Sequence, residues 1–183
     1  MDKTGKKIQK RENPNDVFIT PDTLVEEHYK LVVPYLNDLD YVLDPCMNFE
    51  TRKYFNKFKG LYNVDWCEIT HGRDFLKYEG IANYYEGEKT YIKPDAIVGN
   101  PPYSMIDAFL HKSIELQPRV ISYLIGFANI TTKRLEKMEK AGYTCVEFHL
   151  TKVFKWYGMS LLIVWVKDTD AKSVVGYDRK VHR

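Results

Sequence analysis

Cysteine is scarce in this 183-residue chain, with only Cys46, Cys67 and Cys145. Three scattered thiols build no disulfide framework, and no Cys/His spacing matches a zinc site, so no metal is expected. A reducing, cytoplasmic setting is the expectation. Long apolar runs are missing too. The longest, from Ser160 to Val166, is strand-sized, so no membrane partner is expected. The opening stretch MDKTGKKIQKREN is polar and lacks the apolar core of a secretory signal. No internal repeat or low-complexity tract is visible. Hydrophobic residues make up 44% and charged residues 28%, which excludes disordered and collagen-like classes. The length suits one domain whose core needs no staples.

What is present is aromatic and unevenly charged. Tyrosine occurs 14 times, and the net charge of +2 hides an asymmetry. Residues 1–12 hold five basic and two acidic groups, and residues 172–183 hold four and one. The body between them is mildly acidic, at −4. The pattern suggests a basic leader over 1–15, one domain over 16–168 and a basic tail over 169–183. Basic tails suit phosphate contacts, and equally suit solvated, frayed ends.

Along the chain, helices and strands alternate. Thr20 and Pro21 predict a helix start, with Leu24, His28 and Leu31 on one face and Pro34 as its limit. Strands are predicted at 41–43, 61–67, 95–99 and 120–127. Phe75-Leu76 belongs to a short third element, and 80–93 is an excursion rich in Tyr, Glu and Lys. Helices are predicted at 50–58, 105–117 and 131–141. The pair 143–150 and 160–167 has no helix between, which predicts an antiparallel hairpin. Together these define an α/β, doubly wound, mostly parallel seven-stranded sheet with a C-terminal antiparallel hairpin. Sites in such sheets lie at the carboxyl ends of the strands.

Two strand ends carry unusual residues. Asp44-Pro45-Cys46 follows the first strand, and Asn100-Pro101-Pro102-Tyr103 follows the strand at 95–99. The two prolines hold a rigid turn and bar continuation of strand or helix. The Asn100 side-chain carbonyl and the Pro101 backbone carbonyl then form paired acceptors, matched to the two N–H donors of a primary amine. Tyr103 adds a flat face for stacking a planar base. The alternatives are a plain turn with a core tyrosine, or a Pro-Pro-Tyr ligand for a partner's aromatic groove. The strand pattern places the Asp44 and Asn100 ends side by side.

On these motifs, residues 16–167 resemble the S-adenosylmethionine-dependent adenine-N6 DNA methyltransferases of the Asn-Pro-Pro-Tyr type, in particular small phage-encoded forms. Phe18-Ile19-Thr20-Pro21 resembles the family's leading Phe-Thr-Pro element, which touches the cofactor's methionine part. Leu43-Asp44-Pro45-Cys46 resembles the first cofactor motif. Asp65-Trp66-Cys67-Glu68 resembles the second strand, whose terminal acid binds the ribose; Glu68 and Asp65 both qualify. Gly72-Arg73-Asp74-Phe75 resembles the segment that holds the adenine. Asn100 to Tyr103, with Ser104 following, resembles the catalytic motif. Phe154-Lys155-Trp156-Tyr157 lies where the family sets an aromatic against the target base. The first motif departs from the family pattern: Cys46-Met47-Asn48-Phe49-Glu50 has no glycine, and Asn48 is the residue that tolerates a left-handed turn.

The resemblance implies a Rossmann-like methyltransferase that flips an adenine out of DNA and methylates its N6. Asn100, Pro101, Pro102 and Tyr103 would be catalytic. Phe18, Thr20, Asp44, Pro45, Cys46, Glu68, Asp74, Phe75 and Asn100 would hold the cofactor, and Tyr103, Ser104, Phe154 and Trp156 the base. An activated methyl donor needs neither a metal nor a strongly shifted general base. RNA adenine and a protein glutamine amide offer the same planar –NH2. A binding protein that has lost catalysis is the reading from a different class. Lys112, His111 and His71 read as exposed residues, and Arg52, Lys53, Lys57 and Lys59 as a solvated face or a phosphate track. Readout would come from the 80–93 excursion, the 149–159 loop, a specificity partner or a homodimer. The resemblance to phage enzymes implies a host cytoplasm.

Overall fold

A computed structural model describes residues 18–153, 156 and 158–183. The leader 1–15, Phe154, Lys155 and Tyr157 lie outside the described residues. Thirteen regular elements run in the order α1 (Asp22–Val32), β1 (Tyr41–Asp44), α2 (Lys53–Phe58), β2 (Asn63–Trp66), β3 (Ile81–Tyr85), β4 (Glu88–Ile92), β5 (Ala96–Gly99), α3 (Ile106–Leu116), β6 (Val120–Gly126), α4 (Thr132–Lys140), β7 (Tyr143–Val153), β8 (Ser160–Lys167) and β9 (Val174–His182).

Seven strands form one sheet in the order β2-β1-β5-β6-β8-β7-β9. Strands β2, β1, β5 and β6 are parallel neighbours, and β8 runs antiparallel to both β6 and β7. The sheet is therefore the expected mostly parallel, Rossmann-like one. Its inner strands β1, β5, β6 and β8 are apolar because both faces are covered. Alternation with period two sorts their side chains. Leu43, Ile97, Ile121 and Ile163 join Ile106, Phe109 and Leu110 of α3 on one face. Val42, Val98, Val120 and Val164 join Val25, Val32, Tyr54 and Phe58 from α1 and α2 on the other.

Four differences from the sequence expectation have physical causes. The seventh strand is not at 75–76, where Phe75–Lys77 is a 3₁₀ turn. It is β9, within the stretch expected to be a tail, and it pairs parallel to β7 from Glu147↔Val174 to Val153↔His182. The Val-Val-Gly-Tyr start of β9 was masked by flanking charge, and an edge strand buries too little to show alternation. The 80–93 excursion folds as a separate hairpin, with Ile81↔Ile92 to Tyr85↔Glu88 paired. Helix α2 begins at Lys53 rather than Glu50, because Arg52 takes left-handed dihedrals (φ 47°, ψ 36°) just before it. Pro21, not Thr20, is the first cap of α1, and no side chain caps that end. The Thr20 hydroxyl is used elsewhere.

Candidate active site

Pairing of β1 with β5 (Val42↔Ala96, Leu43↔Ile97) sets their carboxyl ends together, as the spacing predicted. The approach is tight. A Cβ on Gly99 would lie 2.9 Å from the Pro45 ring and 3.2 Å from Asp44 Oδ1. Phe18, Thr20, Asp44, Cys46, Tyr54 and Asn100 line a cleft there, along with Ile19, Asn48, Thr51 and Lys53, and it holds about 330 Å³ of open space continuous with solvent.

Asp44 is 3% exposed. Burial pushes its carboxyl up to about 7; the Cys46 N–H, 3.2 Å from Oδ1, pulls it back, and the Glu68 charge pushes it further up. Such a group favours a cation, since a positive charge alongside offsets the desolvation of its ionised form. The Cys46 thiol donates to the Asn100 backbone carbonyl at 3.1 Å. Desolvation and the Asp44 charge hold that thiol well above its ordinary range, so it stays a donor.

The amide of Asn100 is held by its nitrogen. Nδ2 donates to the Phe18 carbonyl and to Thr20 Oγ1, both at 3.2 Å. Oδ1 is buried and accepts no hydrogen bond among the described residues. A buried acceptor left empty costs about 1–3 kcal/mol, so a donor from outside is favoured. In the following residues, the Pro101 carbonyl accepts no backbone bond among the described residues, while that of Pro102 is taken by the Met105 N–H at 3.0 Å. Of the paired acceptors expected of the diproline turn, the Asn100 oxygen belongs to a residue lining the cleft, and Pro101 is buried.

Tyr103 is 8% exposed, and Phe18 covers one face of its ring at 5.9 Å and 23°. Trp156 meets Phe18 edge-on at 5.3 Å. The three rings form one aromatic wall. A Cβ on Gly126 would come within 3.3 Å of the Tyr103 ring, so the end of β6 also supports it. Ser104 is exposed next to it. Ile19, Met105, Phe127 and Met159, all 41–51% exposed, sit near these segments.

Of the two candidate ribose acids, Asp65 is consumed. It accepts from Tyr41 at 3.0 Å and Tyr78 at 2.8 Å and pairs with Arg73. Glu68, half-buried just past β2, keeps one oxygen uncommitted, Oε1 alone being bound by the Thr70 N–H and hydroxyl. Asp74 caps the 3₁₀ turn through the Leu76 N–H at 3.0 Å. Phe75 is a correction: it is 3% exposed, packed on Phe109 at 4.9 Å, and is a core residue rather than an open face for adenine.

Asn48 also departs from expectation. It does not turn left-handed; its Oδ1 accepts from the Thr51 N–H (3.0 Å) and hydroxyl (3.2 Å), so a side chain makes the turn that glycine makes in the family pattern. Lys112 is buried rather than exposed and pairs with Glu115 at 2.7 Å. His71 is exposed, and its ring stacks on Phe49 at 3.8 Å. The basic run is locally engaged: Lys53 pairs with Asp22 at 2.9 Å, Lys57 with Glu26, and the Arg52 guanidinium lies 4.0 Å from the Phe49 ring centre. Sequence reading missed Tyr54, which read as one more apolar residue of a helix. Among the described residues no group of three or more His, Cys, Asp or Glu could hold a metal, and no helix is long and apolar enough to cross a membrane.

No protein-family model and no curated protein matches the chain. Solved structures do resemble it. A Listeria monocytogenes protein assigned to the class I S-adenosylmethionine-dependent methyltransferases superposes with TM-score 0.61 and 14% identity, over 93% of this chain and 66% of its own. A dimethyladenosine transferase from Plasmodium falciparum gives 0.56 and 11%, over 82% and 63%. The E. cuniculi Mtq2–Trm112 complex, responsible for methylation of the eRF1 translation termination factor, gives 0.52 and 14%, over 84% and 99%. This chain therefore spans just under two thirds of the Listeria and Plasmodium proteins. At these identities the likeness defines the fold, the Rossmann-like one of class I methyltransferases.

Proposed function

We propose that this protein transfers a methyl group from S-adenosylmethionine to the N6 amino group of adenine in DNA. The observation that carries the reading is the buried Oδ1 of Asn100, which accepts no hydrogen bond among the described residues, on a residue that lines one cleft with the buried Asp44. The residues present fit the cofactor. Asp44 complements a cationic amino-acid moiety, and the uncommitted oxygen of Glu68 is an acceptor for ribose hydroxyls. When bound, S-adenosylmethionine supplies a methyl carbon already activated by its sulfonium.

Asn100 Oδ1 and the Pro101 carbonyl would accept the two N6 hydrogens. That draws the nitrogen lone pair out of ring conjugation and aims it along the transfer line. Tyr103 stacks the base once Phe18 moves aside. Flipping a base costs a few kcal/mol, and one aromatic stack contributes about 1–3 kcal/mol, so Tyr103 with two hydrogen bonds about offsets it. No side chain has to act as a strong base, because N6 loses its proton after the N–C bond has formed.

RNA adenine and a protein amide carry the same donor pair, and the similar structures include a dimethyladenosine transferase and a methylase of eRF1. One experiment separates the substrates. The protein is incubated with methyl-tritiated donor and DNA, RNA or a protein extract, and the labelled products are hydrolysed and identified. N6-methyladenine from DNA is expected, and its disappearance in Asn100→Ala ties it to this site. Label found only in RNA or protein, or in none, overturns the DNA reading.

A further inference from the structure

Among the described residues lining the cleft two are charged, Asp44 at the end of β1 and Lys53 at the start of α2. They make no salt bridge with each other. Lys53 Nζ instead lies 2.9 Å from Oδ1 of Asp22, whose side chain is 85% exposed. The cleft is therefore bordered by an anion and a cation that do not neutralise each other.

The placement of Lys53 brings the fold little. A cation in the first turn of a helix works against the backbone dipoles. Its pair with Asp22 is open to water, which screens it. The rest of the basic run is engaged elsewhere. Arg52 Nε donates to the Phe49 carbonyl at 3.0 Å, Lys57 pairs with Glu26 and lies 4.4 Å from the Tyr29 ring centre, and Lys59 lies 5.7 Å from that of Phe55. None of these three lines the cleft. Backbone strain accompanies the placement. Arg52 takes left-handed dihedrals, uncommon for a residue with a Cβ, and α2 then opens with Lys53 and Tyr54, both in the cleft wall.

We propose that Lys53 binds the carboxylate of the methionine moiety of S-adenosylmethionine, while Asp44 takes its ammonium. The ligand's carboxylate replaces Asp22 as the partner of Lys53, and Asp22 yields easily because water already surrounds it. A zwitterion satisfies both charges of the cleft, whereas a molecule bearing the ammonium alone satisfies only Asp44. Lys53 thereby selects an intact amino-acid end. The assignment rests on the cofactor reading above and not on the identity of the methyl acceptor.

Calorimetry on the full chain at pH 8 tests this with S-adenosylhomocysteine and its decarboxylated analogue, which keeps the amine. Wild type should bind the analogue about tenfold more weakly. In Lys53→Met, which keeps an apolar stem, S-adenosylhomocysteine should weaken about tenfold and the analogue less than about twofold, so that the gap closes. Lys53→Arg should keep most of the gap. Asp22→Asn, which removes the competing carboxylate, should tighten S-adenosylhomocysteine by about twofold. Equal binding of the two probes to wild type overturns the assignment and needs no variant, so a misfolded Lys53→Met does not protect it. A gap of the same size in Lys53→Met overturns it too, as does a Lys53→Met that binds both probes normally and duplex DNA more weakly, which would make Lys53 a phosphate contact. Should wild type bind neither probe, the cofactor reading itself fails; equal binding of both fails only the role of Lys53.

Discussion

Asn100 shows how much chemistry one amide contributes when its two ends are treated differently: two acceptors hold the nitrogen, and among the described residues no donor meets the oxygen. Asn100→Ala should abolish methyl transfer and leave the melting temperature within a few degrees, since the residue is not part of the apolar core; activity assays beside thermal unfolding check this. Asp44 gives a pH prediction. Its ionised form is the one a cationic cofactor prefers, and in the folded protein half of it is protonated near pH 7. Affinity for S-adenosylhomocysteine, which keeps the amino-acid moiety, should therefore rise with pH by up to about tenfold per unit and level off above 7. Calorimetry from pH 5.5 to 8 should show proton release on binding at the acid end. In Asp44→Asn the affinity should be weaker and the slope gone. A pH-independent wild type would show that Asp44 does not face the bound charge.

Elements place these residues, and their contacts set how much change they tolerate. Gly99 closes β5 against Pro45 with no room for a Cβ. Gly99→Ala should destabilise by about 1–3 kcal/mol, the usual cost of overpacking, and weaken cofactor binding, as denaturant titration and calorimetry would report. The β3–β4 hairpin is the opposite case. Every residue in its two strands is exposed. It joins the sheet next to Asp95, whose N–H bonds the Tyr41 carbonyl at the amino end of β1, whereas the cleft is at the carboxyl end. Replacing 81–92 with a short Gly-Ser linker should leave melting temperature and cofactor affinity nearly unchanged, and a large loss of either would mean that the hairpin packs on the body. Strands β1, β5, β6 and β8 were legible because burial on both faces demands unbroken apolar runs. Edge strand β9 was not, because its value is a row of backbone bonds to β7, which leave little trace in side-chain pattern.

For the whole molecule, two buried groups titrate in opposite senses. His28 has its basicity lowered from 6.5 to about 3, so the unfolded chain binds the extra proton. Its stabilising contribution is full above pH 6.5 and is lost as pH falls toward 3, by up to about 1.4 kcal/mol per unit. Asp44 is raised from 3.8 to about 7, so the folded chain holds the extra proton, and acidification over that range favours folding by a similar slope. The two largely cancel in the free protein, whose stability should change little between pH 6.5 and 4 on their account. Asp44→Asn removes the compensating group and should make the free protein's stability fall steeply with acid, which denaturant unfolding across pH would measure. The sequence by itself determined the α/β class, the adjacency of Asp44 and Asn100, and the stiff diproline turn, because strand periodicity, chain spacing and proline's fixed φ are local properties. Only the tertiary structure decided that Asp65 is spent on two tyrosines and an arginine while Glu68 keeps an oxygen, that Phe75 belongs to the core, and that His28 is buried between Tyr54 and Ser122. Those outcomes depend on which side chains distant segments bring into contact with one another, and no periodicity along the chain encodes that.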